Sequence, residues 1–384
     1  MRILITLTYY RPHYSGLTIY TERLARGLVK LGHEVTVLTS RFNTDLPEQE
    51  IQDGVRIIRS RVMMHLSKGV IMPAFPNWAL KLLRDVDVVN LHLPQMDAGY
   101  VSWMARLARK PVVVTYHCDL HLPTGLVHWI ANKGADLTSH LTAMAADAVV
   151  TNTRDYAENS PFLRHYLDKL HIVKTPIELP QVSRSDIAAF REKYGLLPEQ
   201  RIIGMNARLA TEKGVEYLIE ALPEIIKRHP SARVLHVGQY QNVLGEEKYA
   251  QKLVPLIERL GAHWTFLGIL SPVEQAAFFH ASEVLVLPSL NSTESFGMVQ
   301  VEAMTCGTPA VASDIPCVRC PVGETGMGKI VPPRDPQALA QAVSEILDQP
   351  ERYTGDSEII RQQYAPEAIA RAYEFLFKEL LSSR

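Results

Sequence analysis

Two glutamates, Glu294 and Glu302, stand eight positions apart in the polar stretch that follows the apolar run Val284-Leu-Val-Leu-Pro288. A buried strand, a glycine-containing loop and a short helix from about Met298 to Cys306 are the expected local structure. That arrangement leaves the first-turn amides of Phe296, Gly297 and Met298 without intrahelical partners. It also sets the positive end of the helix dipole at the carboxyl edge of the strand, where an anion is stabilised. Gly297 lets a ligand approach the backbone, and Ser295 lies in the same turn. Carboxylates accept hydroxyl protons, so the stretch suits a ligand that is both phosphorylated and rich in hydroxyls, such as a sugar nucleotide. Arg208 and Lys213 follow the run Ile202-Ile-Gly-Met-Asn206 on one loop, where a guanidinium fork and an ammonium can clamp a diphosphate. His117 ends the run Val112-Val-Val-Thr-Tyr, with Asp119 close enough to orient its ring. A glycosidase reading of the two glutamates is disfavoured. Eight helical residues rise about 12 Å, whereas hydrolytic carboxyl pairs stand about 5 to 9.5 Å apart.

The segments Glu294-Ser-Phe-Gly and Glu302-Ala-Met-Thr-Cys-Gly-Thr-Pro resemble the signature of the family 4 retaining glycosyltransferases, which have the GT-B fold. The resemblance implies that Glu294 contacts the donor hexose near the reacting carbon and that Glu302 binds the ribose of the nucleotide. It further implies that Arg208 and Lys213 hold the leaving diphosphate and that His117 bonds the transferred sugar. Tyr9 to Gly16 resembles the first glycine-rich loop, which touches the donor diphosphate and the acceptor. The family usually has a glycine pair there, and this chain has Ser15-Gly16. Gly238, at the end of Leu235-His-Val-Gly, is expected to line the nucleotide pocket. Thr175-Pro-Ile-Glu178 stands where the family often has Pro-Asn-Gly. His121 and His128 carry no such support.

These residues need α/β scaffolds to position them. A chain of 384 residues exceeds one comfortable core, so two domains are expected. Short β-branched runs alternating with helical patterns predict parallel strands near 2–7, 34–39, 55–59, 86–91, 111–116, 147–151 and 170–173. A second series is predicted near 201–206, 233–238, 264–267, 284–288 and 308–312. The expected architecture is therefore two Rossmann-like, doubly wound domains facing a cleft, whose closure would exclude water. The first spans residues 1–176 and the second 181–365. The closing helix, 366–384, resembles the terminal helix that crosses back to the first domain in the family.

Several motifs are weaker than they look. Gly323-Glu-Thr-Gly-Met-Gly-Lys-Ile330 nearly spells a P-loop, but Ile330 replaces the magnesium-binding hydroxyl and Val331-Pro-Pro333 forbids the helix. Asp85-Val-Asp87 reads as a helix-to-strand turn rather than a metal pair. Cys317-Val-Arg-Cys320 lacks the second pair that a zinc site needs. No dinucleotide fingerprint follows any predicted strand, which disfavours a dehydrogenase. No metal or other cofactor is expected, because Arg208, Lys213 and the helix amides supply the positive charge themselves.

Scattered cysteines, a start too soon polar for a signal peptide and no apolar run of spanning length set the expectation of a cytoplasmic protein. The net charge of −1 hides an asymmetry: residues 1–176 hold 20 Lys and Arg against 15 Asp and Glu, the remainder 20 against 26. Between Asp53 and Asp85 stand Arg56, Arg59, Arg61, Lys68, Lys81 and Arg84 with no acid, interleaved with Met63, Met64, Val70, Ile71, Met72, Phe75 and Trp78. Such a mix suits peripheral contact with anionic membrane, against the plainer reading of a solvated basic face over a core helix. The expected reaction moves a hexosyl group from a UDP- or GDP-sugar to a lipid or glycan acceptor with retained configuration, and nucleic acid is no partner. A sugar-nucleotide epimerase and a catalytically silent sugar-nucleotide-binding protein are the alternatives.

Overall fold

The computed structural model describes residues 1–66, 69–119, 126–243 and 245–384, with the side chains of 66 and 126–133 excepted. Lys68, His121 and the side chain of His128 therefore lie outside the described residues. The chain forms two units, one made of Met1–Ile177 with Gln363–Arg384, the other of Glu178–Gln362.

In the first unit the strands are β1 (Arg2–Thr6), β2 (Glu34–Arg41), β3 (Gln49–Gln52), β4 (Val55–Arg61), β5 (Met64–Leu66), β6 (Gly69–Ile71), β7 (Val88–Leu93), β8 (Val112–Tyr116), β9 (Ala148–Thr151) and β10 (Leu170–Ile172). Its helices are α1 (Gly16–Lys30), α2 (Phe75–Leu83), α3 (Ala98–Leu107), α4 (Leu126–Ala145) and α5 (Arg154–Asn159). The main sheet runs β10-β9-β8-β7-β1-β2-β4-β3. It is parallel apart from β3, which pairs antiparallel with β4. β7 and β8 are buried along their whole length, as strands covered on both faces should be. The short β3 and the β5–β6 hairpin do not show in the sequence pattern, because each strand has only three or four residues, too few to display an alternation.

The second unit holds β11 (Arg201–Asn206), β12 (Ala232–Val237), β13 (Trp264–Gly268), β14 (Val284–Leu287), β15 (Ala310–Ser313) and β16 (Gly328–Val331). Its helices are α6 (Arg184–Lys193), α7 (Val215–Arg228), α8 (Glu247–Glu258), α9 (Pro272–Ala281), α10 (Met298–Met304), α11 (Cys320–Thr325) and α12 (Pro336–Asp348). Its all-parallel sheet runs β13-β12-β11-β14-β15-β16. The P-loop-like stretch is helix end and strand: Gly328-Lys-Ile-Val331 pairs with β15, and the Lys329 ammonium goes to Glu345. Asp87 lies between α2 and β7, held by Arg2 at 2.8 Å.

α13 (Ser357–Tyr364) carries the chain back to the first unit, which α14 (Pro366–Ser382) completes. α14 lies on α1, with Ile369, Tyr373 and Phe377 in the core that also holds Tyr20, Leu24 and Leu28. Among the described residues no helix is long and apolar enough to cross a membrane.

Candidate functional site

In each sheet the strand order reverses once, between β11 and β14 in the second unit and between β1 and β7 in the first. Loops leaving neighbouring strands at such a point part to opposite faces and leave a crevice at the carboxyl ends. In the second unit those loops are 207–214, leading into α7, and 288–297, leading into α10. They are joined twice. The Leu290 N–H donates to the Glu212 carbonyl at 2.9 Å, and the Lys213 ammonium donates to Glu294 Oε2 at 2.5 Å. The paired side chains are only 19% and 15% exposed, so the pair feels less solvent screening than a surface ion pair does. Glu294 Oε1 accepts the Gly297 N–H at 3.1 Å. One carboxylate thus ties the cation of one loop to the glycine turn of the other.

Gly297 has φ 75°, and a Cβ there would lie 2.5 Å from Leu287 and 2.6 Å from the Gln300 amide. Only glycine fits. The expectation of a spare Gly297 amide is corrected, since Glu294 itself holds that N–H. Phe296 is buried, while Ser295 and Met298 are half-buried at the start of α10. Arg208 is exposed and donates to Glu212 at 2.9 Å. The loop that carries it is supported from β12. A Cβ on Gly238, φ 121°, would lie 2.4 Å from the Ala207 carbonyl, and His236 donates to that same carbonyl at 2.9 Å. Burial pushes the His236 pKa down to about 4, so its ring is neutral. Glu302 is 5% exposed and accepts from Gln275 on α9 at 3.1 Å, a neighbour that no sequence signal marked.

In the first unit Gly16 opens α1, and Ser15 caps the helix by accepting the Thr18 N–H at 3.2 Å. A serine cap satisfies an end that a glycine pair would leave open. His117 follows β8 and is buried, and burial pushes its pKa down to about 3. Its ring partner is His92 at the end of β7, 2.8 Å from His117 Nε2 through Nδ1. Asp119 does not orient it. That carboxylate accepts from Tyr116 at 2.9 Å, Tyr156 at 3.1 Å and Ser160 at 2.7 Å. Nearness in sequence did not bring the two together: β8 ends at Tyr116, and beyond it Asp119 turns to Tyr116, Tyr156 and Ser160. Tyr20 stands edge-on to His117 at 4.8 Å between centroids, and a hydroxyl chain runs from Tyr20 through Tyr373 and Thr115 to Asn90. Tyr373 thereby ties α14 to α1 and β8.

The basic stretch after Asp53 divides. Arg59 is 1% exposed, bonded to Glu50 and to the carbonyls of Pro47 and Arg11, and Val70, Met72 and Phe75 are core. Arg56, Arg61, Met63 and Met64 are exposed. A broader apolar surface lies on α3 and α4, where Tyr100, Trp103, Leu107, Leu137, Leu141 and Met144 are all exposed, beside Arg106 and Arg109. Trp103 donates to the Leu141 carbonyl at 3.1 Å, which fixes the two helices side by side.

The profile of the glycosyl transferases group 1 matches residues 186–363, and that of Glycosyltransferase Family 4 matches residues 14–179. A glycosyltransferase of Methanocaldococcus jannaschii is 27% identical over 90% of this chain and 89% of its own length. A D-inositol 3-phosphate glycosyltransferase of Xylanimonas cellulosilytica is 28% identical over 87% and 83%. Among solved structures, HepE of Anabaena in complex with UDP superposes with a TM-score of 0.78 at 20% identity over 100% of both chains. Sucrose-phosphate synthase of Thermosynechococcus elongatus gives 0.76 at 21%, again over 100% of both. At such identities the superpositions speak for the fold.

Proposed function

The chain belongs to the family 4 glycosyltransferases with the GT-B fold, and on that premise we propose that it moves a hexosyl group from a UDP- or GDP-sugar to a lipid or glycan acceptor with retention of configuration. The observation that carries this reading is the Lys213–Glu294–Gly297 junction at the reversal of the second sheet. A diphosphate arriving there competes with Glu294 for the Lys213 ammonium and with Glu212 for the Arg208 guanidinium, and charge builds on its oxygen as the bond to the sugar breaks. Fixed cations beside that oxygen lower the barrier without solvent reorganisation. Once released from Lys213, the Glu294 carboxylate is free to accept a sugar hydroxyl. Glu302, buried at one end of Gln275, is the proposed ribose ligand, and His117 the proposed contact of the hexose. The neutralisation comes from the chain's own groups, so we propose that the reaction needs no metal.

Complexes of HepE, a neighbour of the same fold, with UDP and with UDP-glucose support a uridine nucleotide as the first donor to try. The test incubates the enzyme with single sugar nucleotides and acceptor pools, and reads the anomeric coupling of the product by proton NMR. Retention with an α-linked donor gives an α-linked product, and a β-linked product would overturn the retaining reading. Conversion of donor alone into an epimer would favour the epimerase. A phosphorylated cyclitol belongs among the acceptor pools, since relatives of similar length carry the name D-inositol 3-phosphate glycosyltransferase.

A lipid acceptor would need contact with a membrane. The exposed apolar face of α3 and α4, flanked by Arg106 and Arg109, supports that contact better than the stretch after Asp53, where Arg59 is buried. Sedimentation with anionic vesicles, weakened at high salt and by Trp103→Glu, is the expected result. No binding to any vesicle would leave a soluble acceptor.

A further inference from the structure

His92 carries no role in the reading above, yet it holds the ring most directly implicated in contacting the hexose. His92 Nδ1 lies 2.8 Å from His117 Nε2, and the rings are within 24° of coplanar with centroids 5.0 Å apart. That separation is the N···N distance plus two ring radii, so the bond runs edge to edge between the imidazoles. Both rings are buried and neutral. A neutral pair shares a single proton along this line, so one ring donates and the other accepts.

Thr21 decides which. Its hydroxyl lies 2.9 Å from the Leu17 carbonyl, which can only accept, so its one proton points there. What Thr21 Oγ1 then offers His92 Nδ1, at 3.0 Å, is a lone pair. Both neighbours of His92 Nδ1 are satisfied only if that nitrogen bears the proton. The far side of the ring agrees: His92 Nε2 is buried without a hydrogen-bond partner. In this tautomer the omission is a bare lone pair, whereas the opposite tautomer would bury an orphan N–H, which folded proteins seldom tolerate. His117 Nε2 is therefore the acceptor, and the proton of the neutral His117 ring sits on Nδ1. Neutral imidazole in water prefers the other tautomer, so the preference is imposed by Thr21 and His92.

We propose that His92 is a positioning residue that locks His117 in the Nδ1–H form, so that His117 meets the hexose as a hydrogen-bond donor to a hydroxyl oxygen and does not act as a base. The ligand in this statement rests on the function proposed above, while the tautomer rests on the structure alone. A donor at Nδ1 selects an oxygen lone pair and leaves that hydroxyl's own proton free for another acceptor, which makes the contact sensitive to the presence and orientation of one sugar hydroxyl.

The experiment is a long-range proton–nitrogen correlation spectrum of the full chain with labelled histidine, combined with kinetics of two variants. His92→Asn keeps a donor near the Nδ1 position, and His92→Phe keeps the ring shape without one. The wild type should show His117 protonated at Nδ1 and bare at Nε2. His92→Phe should lose the Nδ1–H signature and lower kcat about 10- to 100-fold, as loss of an orienting partner commonly does, and His92→Asn should restore most of both. A His117 protonated at Nε2 in the wild type would overturn the proposal even if His92→Phe failed to fold, and so would an Asn variant no better than Phe. Either result leaves the sugar-nucleotide reading standing, which fails only if no sugar nucleotide binds.

Discussion

Arg208 and Lys213 occupy one loop but stand in different surroundings, and their variants should separate accordingly. Arg208 is exposed and paired with Glu212, four residues further along the same loop, an interaction worth well under about 1 kcal/mol to the fold. Arg208→Ala should lose about 10²- to 10³-fold in turnover with an unchanged melting temperature. Lys213→Ala should lose as much activity and also melt earlier, because it strands the mostly buried Glu294 carboxylate. Equal melting of the two variants would mean that the Lys213–Glu294 pair contributes nothing to holding the loops together. The sequence offered both cations and Glu294 as candidates, because their residue types suit a diphosphate and a polyol. It did not supply their pairing, which depends on two loops about 80 positions apart meeting at a strand reversal.

Gly297 makes the same point about the elements. The helix start at Met298 was readable from the Gly-Met boundary and the apolar positions after it. The left-handed turn that aims the helix was not, since nothing in the residue order sets Gly297 apart from an ordinary loop glycine. Gly297→Ala should cost about 1–3 kcal/mol in stability for the strained backbone and weaken donor binding by tilting α10, with urea melts and donor titration as the paired readouts. Retained stability would show that the turn relaxes freely. The elements missed outright, β3, the β5–β6 hairpin and β16, are short edge or surface pieces with little apolar periodicity to betray them. β16 was masked further by a glycine-rich stretch that mimics a phosphate loop. His92 escaped notice for the opposite reason, as a histidine inside a mostly apolar strand reads as core.

For the whole molecule the buried histidines set a pH dependence. His92, His117 and His236 have native pKa values below the ordinary value through burial, about 3 for His117 and about 4 for His236. Between those values and about 6.5 the unfolded chain binds protons that the native chain does not, so stability rises with pH there and falls as acid is added. Each such histidine contributes up to about 1.4 kcal/mol per pH unit. Asp97, pushed up to about 6 by burial, works in the opposite sense and offsets part of the slope. Thermal melts from pH 7.5 to 4.5 should show a steady fall that is shallower in His236→Gln, and a flat profile would contradict the buried neutral assignments. On the proposed metal-free mechanism, in which Arg208, Lys213 and the start of α10 supply the positive charge at the diphosphate, activity should also survive chelation by EDTA. A loss restored by magnesium or manganese would overturn that account.

If the second unit binds the donor at its strand reversal, calorimetric titration of the full chain with UDP- and GDP-sugars will register it. At least one of them should bind saturably to the wild type, with affinity reduced at least 10-fold in Lys213→Ala by loss of a charge-assisted contact of about 1.5–3 kcal/mol. Binding of none, or undiminished binding to Lys213→Ala, would contradict it.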